Sequence, residues 1–272
     1  MRTSVATVTS ADGTSIAFER VGDGPPVVLV GGALNDRSFQ PLVELAALLA
    51  PDFTVYTYDR RGRGDSGDTS PYAVAREIDD LEALIAEAGG SACAYGLSSG
   101  AVLVLEAAAR GLAITKLALF EPPLTVDEET TSSDEGFDAQ LAELIWAGRR
   151  GDAIELFMTG IGLPPEAVDG ARRSPTWPGL EAMAHTILYD DAITGDRSLL
   201  TDRLASVTVP TLVIASGGSS PYLHDAARAV TEALPDARLR TLEGQFHDVA
   251  AKDIASVVTE FFTGRDPLQE QR

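Results

Sequence analysis

Ser98 sits between glycines in Gly96-Leu97-Ser98-Ser99-Gly100. The pentapeptide closes a short apolar stretch, Ala92 to Tyr95, and opens a run with helical character, Ala101 to Leu112. Strand, sharp turn and helix in that order lift a hydroxyl above the end of a sheet, with a helix N-terminus beneath it to favour developing negative charge. The glycines matter because the serine's backbone is strained there and any neighbouring side chain would collide with the adjoining strand or helix. Such a hydroxyl is placed for nucleophilic attack. A Gly/Ser-rich turn without chemistry is the competing reading, and the strand and helix on either side weigh against it.

An attacking serine needs a base, and histidine has the pKa nearest the working range. Of the three histidines, His247 lies in Gly244-Gln245-Phe246-His247-Asp248, after the last predicted strand and before the last helix. That position can hang over the sheet end beside Ser98. His224 is expected on an exposed helix face. For His185 a packing or surface role is a stronger reading than lining a pocket. The base in turn needs a carboxylate to fix its tautomer and stabilise the imidazolium. Glu121 follows a predicted strand, Leu117 to Phe120, at the same sheet end and is the favoured acid; Asp225 and Asp248 are weaker options. Gly31-Gly32-Ala33-Leu34, after the apolar run Val27 to Val30, offers backbone donors for an oxyanion. The amides of Ala33 and Ser99 are the expected pair, each worth roughly 3 kcal/mol to the barrier. A phosphate-cradling turn fits poorly there, because the lysine of a P-loop is absent.

The elements that must hold these residues alternate. Asp12-Gly13 marks a hairpin between Val5 to Thr9 and Ser15 to Glu19. Strands are predicted over Val27–Val30, Phe53–Tyr58, Leu117–Phe120, Thr211–Ala215 and Arg238–Leu242. Helices are predicted over Pro41–Ala50, Ala73–Ala88, Leu223–Leu234 and Val249–Phe262. This alternation implies a mostly parallel sheet wound on both sides. Between Pro122 and Val209 no convincing strand occurs, and helical segments stand between breakers such as Leu163-Pro164-Pro165. The stretch begins with an acidic, Ser/Thr-rich run, Asp127 to Asp138, read as a mobile loop. The division expected is a core of residues 1–121 and 210–272 and a helical lid of residues 122–209. Leu141, Leu144, Trp146 and Phe157, at helical spacing, are expected to form the lid's own core.

Composition narrows the partners. In 272 residues, 21 Lys and Arg stand against 41 Asp and Glu, a formal net charge of −20. Such a surface repels phosphate backbones and anionic lipids, so neither nucleic acid nor membrane is an expected partner; a small molecule is. The single cysteine, Cys93, excludes an internal disulfide and a cysteine-based metal cluster, and a buried packing role is expected for it. With no apolar stretch of signal-peptide or membrane-spanning length, a cytoplasmic protein is expected. Oligomeric state is open, a homo-oligomer included.

With these residues in place, the chain resembles the α/β-hydrolase-fold serine hydrolases over nearly its whole length. Besides Gly96–Gly100, Asp59-Arg60-Arg61-Gly62-Arg63-Gly64-Asp65-Ser66 is similar to the family's D-x-R-G-x-G-x-S loop, whose implied role is structural, with Asp59 as its anchor. The resemblance implies the α/β-hydrolase fold with a lid after the sixth strand. It also implies Ser98, Glu121 and His247 in the order nucleophile, acid, base, and the oxyanion donors already named. The family's late acid, after the strand Thr211 to Ala215, is replaced by Ser216-Gly217-Gly218-Ser219-Ser220. Glu121 falls instead where the related haloalkane dehalogenases carry theirs; a serine at the apex argues against dehalogenase and epoxide hydrolase chemistry. Gly31 replaces the histidine that often precedes the oxyanion-loop glycine. The function implied is a hydrolase of a small carboxylic ester, thioester or lactone that needs no cofactor or metal. C–C bond hydrolysis, perhydrolysis or cyclisation on the same residues, and a non-catalytic small-molecule receptor, are the alternatives.

Overall fold

The computed structural model describes residues 5–124, 135–195 and 201–264. Eight strands form one sheet: β1 (Ala6–Thr9), β2 (Ser15–Val21), β3 (Pro26–Val30), β4 (Thr54–Tyr58), β5 (Ala92–Leu97), β6 (Ile114–Phe120), β7 (Thr211–Ser216) and β8 (Ala237–Leu242). Their order is β1-β2-β4-β3-β5-β6-β7-β8. β1 and β2 are antiparallel to their neighbours and every pairing from β4 to β8 is parallel. β3, β5, β6 and β7 are covered on both faces, which explains their near-continuous apolar sequence.

The helices between these strands close the two faces. α1 (Gln40–Leu49), between β3 and β4, packs with the final helix, α11 (Ala251–Thr263), on one side, around Leu45, Leu49, Val258 and Phe262. On the other side lie α2 (Val74–Glu87), α3 (Ser99–Ala109) and α10 (Pro221–Ala233). In α2 the apolar residues at helical spacing, Ile78, Leu81, Leu84 and Ile85, are buried as the periodicity predicts. Glu77 and Asp80 on the same helix are buried too, for a reason that lies in the loop after β4.

Between β6 and β7 the chain runs through α4 (Glu135–Trp146), α5 (Arg150–Gly160), α6 (Pro165–Arg172), α7 (Trp177–Met183), α8 (Ile187–Thr194) and α9 (Thr201–Leu204). Among the described residues of this insertion there is no strand. The insertion has its own small core, in which Leu141, Ile154, Trp177 and Ile187 meet Leu34 from the loop after β3. Trp146 is not part of it: at the end of α4 it is 79% exposed. Most of the acidic run from Asp127 falls outside the described residues, and from Glu135 onward it is helix, not loop. Cys93 is half-buried rather than buried, its Sγ 3.3 Å from the Thr115 hydroxyl. No described helix is long and apolar enough to cross a membrane.

Candidate active site

Register alone brings distant residues together at the C-terminal edge of the sheet. Leu97 of β5 pairs with Phe120 of β6, and Phe120 with Ile214 of β7. The next residues continue the ladder: Ser98 N–H donates to Phe120 O at 2.9 Å, and Glu121 N–H to Ile214 O at 3.0 Å. Ser98 and Glu121 therefore leave adjacent strands side by side. Val30 of β3 pairs with Gly96, which sets the Gly31–Asn35 loop beside the same turn. Here the strand order reverses direction, the place where open α/β sheets bind ligands.

The turn at Ser98 is strained. Its φ of 54° and ψ of −121° belong to a region that side-chain-bearing residues rarely occupy. The flanking glycines are demanded by contact. A Cβ on Gly96 would meet Ala101 Cα at 2.5 Å, and one on Gly100 would meet the carbonyl oxygens of Val30 and Gly31 at 2.5 Å. All those atoms are backbone and have little freedom to move. Gly100→Ala is expected to cost about 1–3 kcal/mol through overpacking, read as a lowered urea midpoint. Ser98→Gly should do the reverse. Relief of about 1–3 kcal/mol of strain exceeds the roughly 0.5–1 kcal/mol of extra freedom that glycine adds to the unfolded chain. A midpoint raised in Ser98→Gly but not in Ser98→Ala would confirm that the strain belongs to the backbone.

Glu121 and His247 also have positive φ, 47° and 51°. Glu121 is fully buried, and its Oε2 lies 2.5 Å from His247 Nδ1. A carboxylate oxygen accepts, so Nδ1–H donates to it, and in the neutral imidazole Nε2 is then the nitrogen with the lone pair. The second carboxylate oxygen, Oε1, accepts from Ser216 N–H at 2.8 Å. Ser216 opens the turn from which the late acid is missing, and the turn holds the replacement instead. Ser219 Oγ accepts from His247 N–H at 2.8 Å. The Ser216 hydroxyl lies 2.5 Å from Gln245 O and 3.1 Å from Asp248 O. Those two residues belong to a short hairpin, β9 (Gly244–Gln245) and β10 (Asp248–Val249), with His247 in its bend. Phe120 stacks on the imidazole with centroids 5.6 Å apart.

The other candidates are placed elsewhere. His224, expected to be exposed, is half-buried, and its Nε2 donates to Ser216 O at 2.7 Å. It braces the same turn from behind. His185 lies 3.2 Å from Asp68 through Nε2 and is not among the described residues lining the cavity. Asp225 pairs with Arg228 at the surface. Asp248 does line the cavity, but the carboxylate on the imidazole is that of Glu121.

Ser98, His247, Ala33 and Ser99 all line one cavity of about 640 Å³. Leu97 and Phe120 come from the sheet, Leu141 and Phe157 from the insertion, and Tyr222 and Phe246 from the far wall. Its described lining residues include Asp190, Asp191 and Asp248 but no lysine or arginine. Gly32 comes so near the serine that a Cβ on it would stand 3.1 Å from Ser98 Cβ.

The loop after β4 contains the largest surprise. Asp59 anchors it as expected, accepting from the N–H groups of Arg37 and Asp65 at 2.7 and 2.9 Å, and from the Arg37 guanidinium. A Cβ on Gly64, at φ 49°, would strike the Asp59 carboxylate. Yet Arg60, Arg61 and Arg63 are all buried. Arg60 holds Glu77, and Arg61 holds Asp80, each through two hydrogen bonds, which is why α2 can bury two acids. Arg60 and Arg63 both reach Asp190 of α8. Burial would raise the Asp190 pKa, but the two guanidinium groups outweigh it and hold the carboxyl below its ordinary value. Nothing local announces this contact, since Asp190 is more than a hundred residues away along the chain.

A mostly parallel sheet with a strained serine after β5 and a buried glutamate paired with a half-buried histidine at the same edge defines an α/β hydrolase. The chain belongs to the alpha/beta hydrolase family, whose model matches residues 27–253. It is similar to the crystal structure of an alpha/beta hydrolase from Sphaerobacter thermophilus DSM 20745. Identity there is 53%, with 94% of this chain and 100% of that one covered, at a TM-score of 0.89. An esterase from Exiguobacterium antarcticum is 18% identical, over 95% of this chain and 99% of that one, with a TM-score of 0.75. An N-formylmaleamic acid deformylase from Pseudomonas putida S16 is 21% identical, over 94% and 99%, with a TM-score of 0.66. At those identities the last two share the fold. No curated protein sequence matches the chain.

Proposed function

We propose that the protein is a serine hydrolase of small, uncharged carboxylic esters, thioesters or lactones. The observation that carries this reading is the contact between His247 Nδ1 and Glu121 Oε2 at the edge of the cavity lined by Ser98. Ser98 Oγ attacks the acyl carbon while its proton passes to His247 Nε2, and the carbonyl electron pair moves onto the oxygen. The N–H groups of Ala33 and Ser99 stabilise that oxyanion. Its collapse expels the alkoxide, thiolate or ring oxygen, which takes the proton from His247. Water, deprotonated by the same imidazole, then releases the acid and restores the serine. Glu121 holds the ring in the required tautomer and stabilises the imidazolium. The helices between β6 and β7 act as a lid that keeps bulk water from the acyl-enzyme.

Substrate charge follows from the lining. A free carboxylate on the substrate would meet Asp248 and, among the described lining residues, no arginine or lysine, so esters with a free acid group are expected to be poor substrates. The test is hydrolysis of p-nitrophenyl esters by the purified protein in chelator-treated buffer. Butyrate should exceed acetate in kcat/KM by about tenfold, from roughly 0.8 kcal/mol per buried methylene. The hemisuccinate should fall at least about tenfold below butyrate. Absence of turnover on every neutral ester, with a β-diketone cleaved instead, would move the reading to C–C bond hydrolysis.

A further inference from the structure

The loop motif after β4 specifies neither Arg60 nor Arg63, yet both are buried and both converge on Asp190. Asp190 Oδ1 accepts from Arg60 Nη1 and from the Ser99 hydroxyl, each at 2.7 Å, and Oδ2 accepts from Arg63 Nη2 at 2.6 Å. Arg63 then reaches the loop after β3. Its Nη1 donates to Gly32 O at 2.6 Å and to Asn35 O at 3.1 Å. Arg60 Nη1 adds a longer contact to Gly31 O at 3.3 Å. Asn35 Oδ1 accepts from Gly32 N–H at 3.0 Å, which closes the loop on itself.

Gly32 C=O and Ala33 N–H belong to one peptide unit. A trans peptide is planar, so its C=O and N–H point in opposite directions. A guanidinium fixed on the Gly32 oxygen therefore turns the Ala33 N–H away from Arg63. The charge on that oxygen also polarises the peptide and strengthens its N–H as a donor. At the other end of the cluster, Asp190 grips the side chain of Ser99, whose own N–H is the second donor in the proposed reaction. Both donor residues are thus tied to one carboxylate, and that carboxylate comes from the inserted helices.

We propose that Arg63 and Asp190 are positioning residues for the oxyanion donors, so that the site is competent only while α8 is docked on the elbow. This rests on the serine-hydrolase reading above and deepens it: the insertion sets transition-state stabilisation as well as the shape of the cavity. Neither residue takes part in bond making. The pair acts through Gly32 C=O and the Ser99 hydroxyl.

The experiment compares Asp190→Asn and Arg63→Lys with Asp80→Asn, which breaks the buried Arg61–Asp80 pair on the far side of the same loop. Asp80 touches neither Gly32 nor Ser99, so its loss lowers stability and should leave kcat within about twofold. In Asp190→Asn and Arg63→Lys, kcat on p-nitrophenyl butyrate should fall at least about tenfold with KM within about twofold. Affinity for a butyl boronic acid, which carries the tetrahedral oxygen, should fall in step with kcat. Unchanged kcat in the two folded variants would overturn the proposal. So would an equal loss in Asp80→Asn, or failure of both variants to fold while Asp80→Asn does, because the cluster would then serve the core alone. If the wild type neither turns over esters nor binds the boronic acid, the serine-hydrolase reading itself has failed, a distinct result.

Discussion

Ser98→Ala should abolish hydrolysis of p-nitrophenyl butyrate, with kcat reduced by roughly four to six orders of magnitude. The hydroxyl it removes stands on a backbone held at φ 54° and ψ −121°, between glycines that cannot be replaced without backbone collision. Such a conformation persists only where surrounding structure imposes it. Alanine keeps the conformation and the fold but leaves nothing to attack the acyl carbon. KM should change little, because the cavity wall is otherwise intact. Retention of more than a few per cent of the rate would place the nucleophile elsewhere.

The second large effect concerns Glu121. Glu121→Gln retains size and one acceptor, but a neutral amide neither stabilises the imidazolium nor enforces the Nδ1–H tautomer. A loss in kcat of about 10⁴ is expected. Asp225→Asn and Asp248→Asn are the controls, since either residue could have been the acid on sequence grounds. One pairs with Arg228 and the other stands on the rim, and neither should move kcat more than about threefold. Stability should respond as well. Glu121 is fully buried and accepts from Ser216 N–H as well as from His247. Glu121→Ala leaves that N–H unpaired, at about 1–3 kcal/mol, visible as a lower midpoint that neither control shares. A full effect at Asp248 and none at Glu121 would reverse the assignment.

Much of this site could be read from the chain because it is built from local signals at strand ends. The apolar runs locate β3, β5, β6 and β7; Ser98 and Glu121 follow β5 and β6 directly, Ala33 lies in the loop after β3, and His247 comes later, after β8. Parallel pairing then does the assembly, as the Leu97–Phe120–Ile214 register shows. The replacement of the late acid by Ser216–Ser220 was visible as a gap. That the turn would instead bind Glu121 and His247 was not, because a serine's partner is set by geometry and not by its neighbours in sequence. The short hairpin around His247 is likewise too brief to leave a period. The arginine cluster was hidden for the opposite reason. Three arginines in a glycine-rich loop name no partner in the sequence, and only the fold reveals the acids on α2 and α8 that allow their burial. His224 followed the same pattern, expected outside and found donating to Ser216 O.

The most direct test is covalent. The protein is treated with a fluorophosphonate, digested, and the adduct located by mass spectrometry, with His247→Ala in parallel. A phosphonyl group on Ser98 in the wild type, formed at least about a hundredfold more slowly without the imidazole, is the predicted result. An unmodified Ser98 in protein that still hydrolyses esters would contradict the account, as would labelling that ignores the loss of His247.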